Sequence, residues 1–206
     1  MIFHETPLPG AFVIDVERKQ DERGFFARVW CEEELAARGL DSQIAQGSLS
    51  YNRCRGTLRG LHYRVAQDAE SRLVRCVRGA MYDVIVDLRP ASPSYLRWFS
   101  VVLTSDNRTS LYVPEGFAHG FQTLEDDTEV LYLMSKRYRP EAERGARWDD
   151  GAFGITWPAI ASRIISEKDR NWPLYSGPAR EPSAPGDLGP DRSALDSGGT
   201  ASPSAE

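Results

Sequence analysis

Several function classes need features that this chain has little of. It contains three cysteines, Cys31, Cys54 and Cys76, with no C-x-x-C spacing. An odd set at such spacing argues against a disulfide framework and against a thiolate zinc site, and reads as reduced packing thiols. There is no excess of positive charge: 25 Lys and Arg face 30 Asp and Glu, a formal net charge of -5 at pH 7. Non-specific nucleic-acid binding and anionic membrane surfaces both need a basic field, so neither fits, and any polyanionic ligand must be met by a local arginine cluster. No apolar run is long enough to span a bilayer, and Met1-Ile2-Phe3-His4-Glu5-Thr6 lacks the basic-then-apolar order of a secretory leader. A cytoplasmic protein is expected.

With 206 residues, 41% of them hydrophobic, the chain can bury a full core. Its composition changes at Ser176: the stretch to Glu206 is rich in Pro, Gly and Ser and has almost no large apolar residue. Such a segment cannot offset an ordering cost of roughly 1–2 kcal/mol per residue, so residues 1–175 are expected to form one domain and 176–206 a disordered tail.

The remainder reads mostly as strand. Leu73–Arg78 leads through Gly79 into Met81–Leu88, where Tyr82, Val84, Val86 and Leu88 share one face at period two. Trp98–Thr104, Thr109–Val113 and Thr128–Met134 are further short β-branched or aromatic runs, spaced as in an antiparallel sandwich or barrel. Helix is scarce. Glu32–Arg38 carries acids in its first turn and stops at Gly39, and Ser166 stands as an N-cap before Glu167-Lys168-Asp169. The expected fold class is all-β with a few short peripheral helices.

Two of the three histidines lie in segments that suggest chemistry: Gly56-Thr57-Leu58-Arg59-Gly60-Leu61-His62-Tyr63 and Pro114-Glu115-Gly116-Phe117-Ala118-His119-Gly120-Phe121. Imidazole titrates near neutrality, so its repeated placement among glycines, aromatics and an arginine points to proton handling or anion binding.

The Pro114-x-Gly116-x-x-His119 segment resembles the second motif of the cupins, a jelly-roll superfamily built on a double-stranded β-helix. Many cupins hold a metal through an H-x-H pair, a glutamate and a further histidine. Here the first motif reads His62-Tyr63-Arg64, and an arginine cannot ligate, so no metal and no cofactor are expected.

Taken over Phe3 to Trp172, the chain resembles a narrower group, the dTDP-4-dehydrorhamnose 3,5-epimerases, which are metal-free cupins. The likeness is carried by Arg23-Gly24-Phe25-Phe26, Gly56–Tyr63, Leu73-Val74-Arg75 with Arg78-Gly79, Asp83-Val84 with Asp87-Leu88-Arg89, Ser92-Pro93-Ser94, Pro114–Phe121, Glu143-Arg144-Gly145 with Arg147-Trp148-Asp149-Asp150, and Ile155-Thr156-Trp157-Pro158. The resemblance implies a cupin-type barrel and epimerisation of a dTDP-4-keto-6-deoxyhexose at C3 and C5 in deoxysugar biosynthesis. Inverting a carbon beside a ketone requires a base, a holder for the enolate and an acid on the other face.

By the same resemblance, His62 is the base, Asp169 the acid that orients it and stabilises its imidazolium, and Tyr132 the acid that reprotonates. On spacing alone, Asp169 is a helix-start residue and Tyr132 a strand tyrosine. Arg59 and His119 match positions that contact the diphosphate, and Tyr138 is near enough in sequence to line the same mouth. Arg23 and Phe26 resemble an edge segment that reaches a neighbouring subunit's site, which implies a homodimer.

The chain departs from the family at three positions: Arg72 stands for a lysine that helps to hold the developing oxyanion, Arg64 for a glutamine, and Ser48, near Gln46, for an asparagine. Arg64 and Ser48 are expected near the sugar or phosphates, where they could reshape the pocket or narrow the reaction to one carbon. Arg72 can still donate to the oxyanion with a larger, less mobile group, and the resemblance places Gln46, Ser48 and Arg72 among the substrate-binding residues. A mono-epimerase, a non-catalytic cupin that binds nucleotide sugars and a metal-dependent cupin oxygenase are the alternatives.

Overall fold

The structure, a computed structural model, describes residues 1–177; most of the expected tail lies outside the described residues. The strands are β1 (Ile2–Glu5), β2 (Phe12–Asp15), β3 (Lys19–Asp21), β4 (Gly24–Phe26), β5 (Gln46–Asn52), β6 (Thr57–Tyr63) and β7 (Arg72–Arg78). They continue as β8 (Ala80–Asp87), β9 (Trp98–Thr104), β10 (Ser110–Val113), β11 (Phe117–Thr123), β12 (Thr128–Met134), β13 (Arg144–Gly145) and β14 (Ile164–Ile165). Two short helices, α1 (Glu32–Ala36) and α2 (Glu167–Arg170), lie at the periphery, and among the described residues no helix is long and apolar enough to cross a membrane.

One six-stranded sheet runs β1-β2-β10-β7-β12-β5; a second runs β13-β6-β11-β8-β9, with β14 beside β6, and β3 and β4 form a separate hairpin. Neighbours in a sheet are mostly distant in sequence, and every pairing except β14 with β6 is antiparallel. That crossing pattern, with two sheets facing across one core, is the cupin-type jelly roll.

The alternation along β8 explains how the layers pack. Val84, Val86 and Leu88, with Tyr82 against them, join Leu58, Leu61, Ala118, Phe153 and Trp157 in a cluster on the outer side of the second sheet. The opposite residues Met81 and Ile85 point between the sheets, where they meet Val74, Leu111, Phe117, Phe121 and Val130. β8 is therefore buried on both faces because the segment around Phe153 and Trp157 covers its outside. Each such side chain taken fully out of water contributes roughly 1.5–3 kcal/mol.

The expected strands and caps are present, with small shifts at their ends. Ser166 Oγ accepts from the Asp169 N–H at 3.0 Å, starting α2. α1 is shorter than its sequence pattern suggests, and Gly39, with φ +70, donates to the Ala36 carbonyl to turn the chain away. Asp87 is wholly buried yet accepts from Arg89, Ser92 and Ser94, which together fasten the β8–β9 connection.

Candidate active site

An irregularity between β6 and β11 creates the site. His119 pairs with His62 and Phe121 with Arg59, so three steps along β6 match two along β11. In a regular strand, residues three apart face opposite ways, whereas this bulge turns both Arg59 and His62 toward one cavity. Gly60 lies inside the bulge at φ +122, and a Cβ there would come within 2.6 Å of Gly120 Cα. No other residue fits that turn without moving the neighbouring strand.

The cavity, about 260 Å³, opens between the two sheets. It lies near the lower limit of typical ligand pockets, ~300 Å³, which is room for a single sugar-sized ring. β6 and β11 line it with Arg59, His62 and His119; the facing sheet contributes Arg72, Tyr132 and Met134. His62 and Tyr132 therefore stand on opposing sheets and look into the same space.

His62 Nε2 lies 2.7 Å from Asp169 Oδ1, leaving the other ring nitrogen for the cavity. Asp169 is 4% exposed and also accepts from Trp172 Nε1 at 3.2 Å and from the Gly60 N–H at 3.3 Å. Burial alone would raise its pKa, but the His62 contact and these donors outweigh it and hold the carboxyl below the usual carboxylate range. Trp172 stands edge-on to the imidazole, with ring centres 6.4 Å apart, and packs over Gly145. The arrangement gives a histidine fixed in one tautomer beside a permanent counter-charge, as proton abstraction by a neutral imidazole requires.

Across the cavity, burial and the nearby Asp83 charge push the Tyr132 phenol well above its ordinary pKa, so it is protonated at neutral pH. His119, buried, stands edge-on to Tyr132 at 6.0 Å, and its Nε2 is 2.6 Å from Asp83 Oδ1. This is a second histidine–carboxylate pair, facing the first across adjacent strands. Three arginines, Arg59, Arg64 and Arg72, also line the wall. They form the local cationic cluster that an anionic ligand needs on a chain of net charge -5.

The other expected residues divide. Arg72 and Tyr138 line the cavity with the catalytic candidates. Gln46 does not line it; its Oε1 accepts from the Tyr138 N–H at 2.6 Å and so holds the mouth segment. Ser48 sits opposite Tyr132 in the β5–β12 register, one strand away from the cavity wall. Arg23 and Phe26 are on the exposed β3–β4 hairpin, Phe26 at 75% exposure, and do not reach this chain's own cavity.

Other residues of the site were not assigned a role from the sequence, and Asn52 and Glu70 lie in no matching segment. Asn52 accepts from Arg59 Nε at 2.8 Å; Glu70 lies between Arg64 and Arg72; Glu143 at the rim accepts from Tyr138 Oη at 3.2 Å and from Lys168 Nζ at 2.7 Å. Burial opposes ionisation of Glu143, but the Lys168 contact prevails and keeps its pKa below the ordinary value. Asp83, within a matching segment, also carried a physical signal: it is an acid on the inward face of an apolar strand, where only a partnered carboxylate survives. Among the described residues, no group of three or more His, Cys, Asp and Glu side chains is arranged to hold a metal ion.

Comparison with known proteins agrees with this geometry. The family model for dTDP-4-dehydrorhamnose 3,5-epimerase matches residues 5–176. An enzyme of that description from Methanothermobacter thermautotrophicus is 43% identical over 179 residues, covering 85% of this chain and 96% of its own length. Among solved structures, the epimerase from Elizabethkingia anophelis superimposes with a TM-score of 0.82 at 33% identity, covering 85% of this chain and 96% of that one. The Bacillus anthracis epimerase, solved with TDP and PPi bound, gives 0.80 at 38% identity and covers 84% and 99%.

Proposed function

This chain belongs to the dTDP-4-dehydrorhamnose 3,5-epimerase family, and on that premise we propose that it epimerises a dTDP-4-keto-6-deoxyhexose at C3 and C5 without a cofactor, in dTDP-L-rhamnose-type deoxysugar biosynthesis. The observation that carries the reading is the placement of His62, backed by Asp169, and of Tyr132 on opposing walls of one cavity.

In the proposed reaction, the cavity-facing nitrogen of His62 takes the proton α to the C4 ketone. The C–H electron pair becomes the enolate, whose charge on the ketone oxygen is held by Arg72, while Asp169 stabilises the new imidazolium. Tyr132 then delivers its proton to the carbon from the opposite face, which inverts it. A phenol whose pKa is raised by burial stays protonated until a carbanion-like centre forms. Arg59 and His119 hold the diphosphate, and Tyr138 flanks the mouth.

The reading also takes residues 1–175 as the catalytic domain, residues 176–206 as a tail outside it, and the cytoplasm as the place of work. It includes a homodimer in which the exposed Arg23 and Phe26 of one subunit reach the partner's site. Light scattering at micromolar concentration should give twice the chain mass; a monomer that turns over normally removes this part.

The activity is tested by incubating the purified protein, with chelator and no added cofactor, with dTDP-4-keto-6-deoxyglucose in D2O and reading the product by NMR. Deuterium at both C3 and C5 is the expected result. Label at one carbon makes the protein a mono-epimerase, and dTDP binding without any exchange makes it a non-catalytic binder.

A further inference from the structure

Glu70 lies on the connection between β6 and β7, and its side chain is 2% exposed. Arg72 meets it edge-on: Nε and Nη2 both lie 2.8 Å from Oε1. Arg64 Nη1 lies 2.9 Å from Oε2, a close ion pair without the alignment of a hydrogen bond, so Oε2 has no aligned donor. All three line the cavity that holds His62 and Tyr132.

Stability alone gives little reason for this cluster, because buried ions are costly to desolvate and apolar residues of similar volume often serve as well or better. The geometry suggests another purpose. A guanidinium is a rigid planar fork, and clamping one edge of it fixes the plane of the rest. With Nε and Nη2 on Glu70, Arg72 Nη1 is the nitrogen left without a protein partner among the described residues. A lysine ammonium would need no such clamp, since it rotates freely to any acceptor. An arginine at position 72 does need one if it is to present a donor in a fixed direction.

We propose that Glu70 is a positioning residue for the enolate: it holds Arg72 so that Nη1 faces the oxygen on which charge develops, and it keeps Arg64 alongside, neutralising one of the two cations. This rests on the enolate chemistry proposed above. Because the nucleotide end is held at Arg59 and His119, Glu70 acts on turnover and not on binding.

The test is the solvent-exchange assay on wild type, Glu70→Gln, and Glu70→Gln combined with Arg72→Lys. Glu70→Gln is expected to lower kcat about 10- to 100-fold, the size of effect seen when one preorganised donor is misplaced, with KM changed less than about twofold. Adding Arg72→Lys should recover most of the lost kcat, a rescue that a merely structural role would not produce. If Glu70→Gln does not fold, Glu70→Asp carries the same test: it keeps the charge, withdraws the carboxylate by one methylene, and should also lower kcat at constant KM. A wild type that exchanges and a Glu70 variant that matches it, or a double variant no faster than Glu70→Gln, overturns this inference alone. A wild type that exchanges nothing overturns the functional reading and this inference together.

Discussion

Replacing Asp169 by asparagine exchanges one carboxylate oxygen at the centre of the dyad for an amide nitrogen and leaves its shape intact. The carboxylate now accepts from His62 at 2.7 Å, and it is 4% exposed, so water cannot replace it. A hydrogen bond to a charged partner contributes about 1.5–3 kcal/mol net, and it strengthens as the imidazolium forms. The amide also has a donor: turned toward His62 Nε2, it would force the ring proton onto the cavity-facing nitrogen and block the base. The same substitution in a serine-protease triad costs about 10⁴-fold for that reason. His62 is more open here, its side chain 28% exposed, so water can partly support the charge. We expect kcat to fall about 30- to 1,000-fold, or roughly 2–4 kcal/mol, with KM changed less than about twofold. The assay is initial-rate deuterium incorporation at pH 7, with thermal unfolding in parallel, because Asp169 is held ionised by its contacts and its loss also costs stability. A folded Asp169→Asn protein that exchanges within threefold of wild type would refute the dyad.

Two further outcomes follow from packing and charge. Asp87 is wholly buried, and its contacts with Arg89, Ser92 and Ser94 outweigh burial to lower its pKa to about 2. A depressed carboxylate stabilises the fold above its unfolded pKa, ~3.9, and that stability is lost as pH falls through about 2. Asp87→Asn should therefore cost roughly 2 kcal/mol in urea unfolding at pH 7, with the gap to wild type shrinking below about pH 4; a gap that stays constant to lower pH contradicts the assignment. At Gly145, a Cβ would sit 2.2 Å from Trp172 Cε2, so Gly145→Ala must displace the indole that touches both His62 and Asp169. Activity should fall about tenfold, with roughly 1–3 kcal/mol of stability lost, and unchanged kcat would show that Trp172 does not support the dyad.

The sequence showed the architecture more plainly than the site. Period-two alternation at Tyr82, Val84, Val86 and Leu88 identified β8, but nothing local revealed that Phe153 and Trp157 would cover that face. β6 was hard to read as a strand because Gly60 breaks its alternation, and that break is what aims Arg59 and His62 the same way. Asp169 lies 107 positions from His62, and on spacing alone it was only a helix-start acid; family likeness, not periodicity, joined them. It is both at once, since its N–H takes the Ser166 cap while its carboxylate faces the ring. Glu70 stayed hidden among 30 acidic residues because a Glu-x-Arg spacing does not reveal that both side chains turn into a cavity, and although Glu143 lies in a matching segment, its pairing with Lys168, 25 positions on, leaves no spacing in sequence. Asp83 was legible in principle, as a charge on the inward side of an apolar strand.

Tyr132→Phe separates abstraction from inversion and so tests the opposing placement of base and acid most directly. With His62 and Asp169 intact, the variant should still wash deuterium into the keto sugar, the proton leaving and returning on the same face, while the epimerised product fails to accumulate. Inverted product at the wild-type rate would show that the phenol across the cavity is not the acid, and the two-wall mechanism would fail.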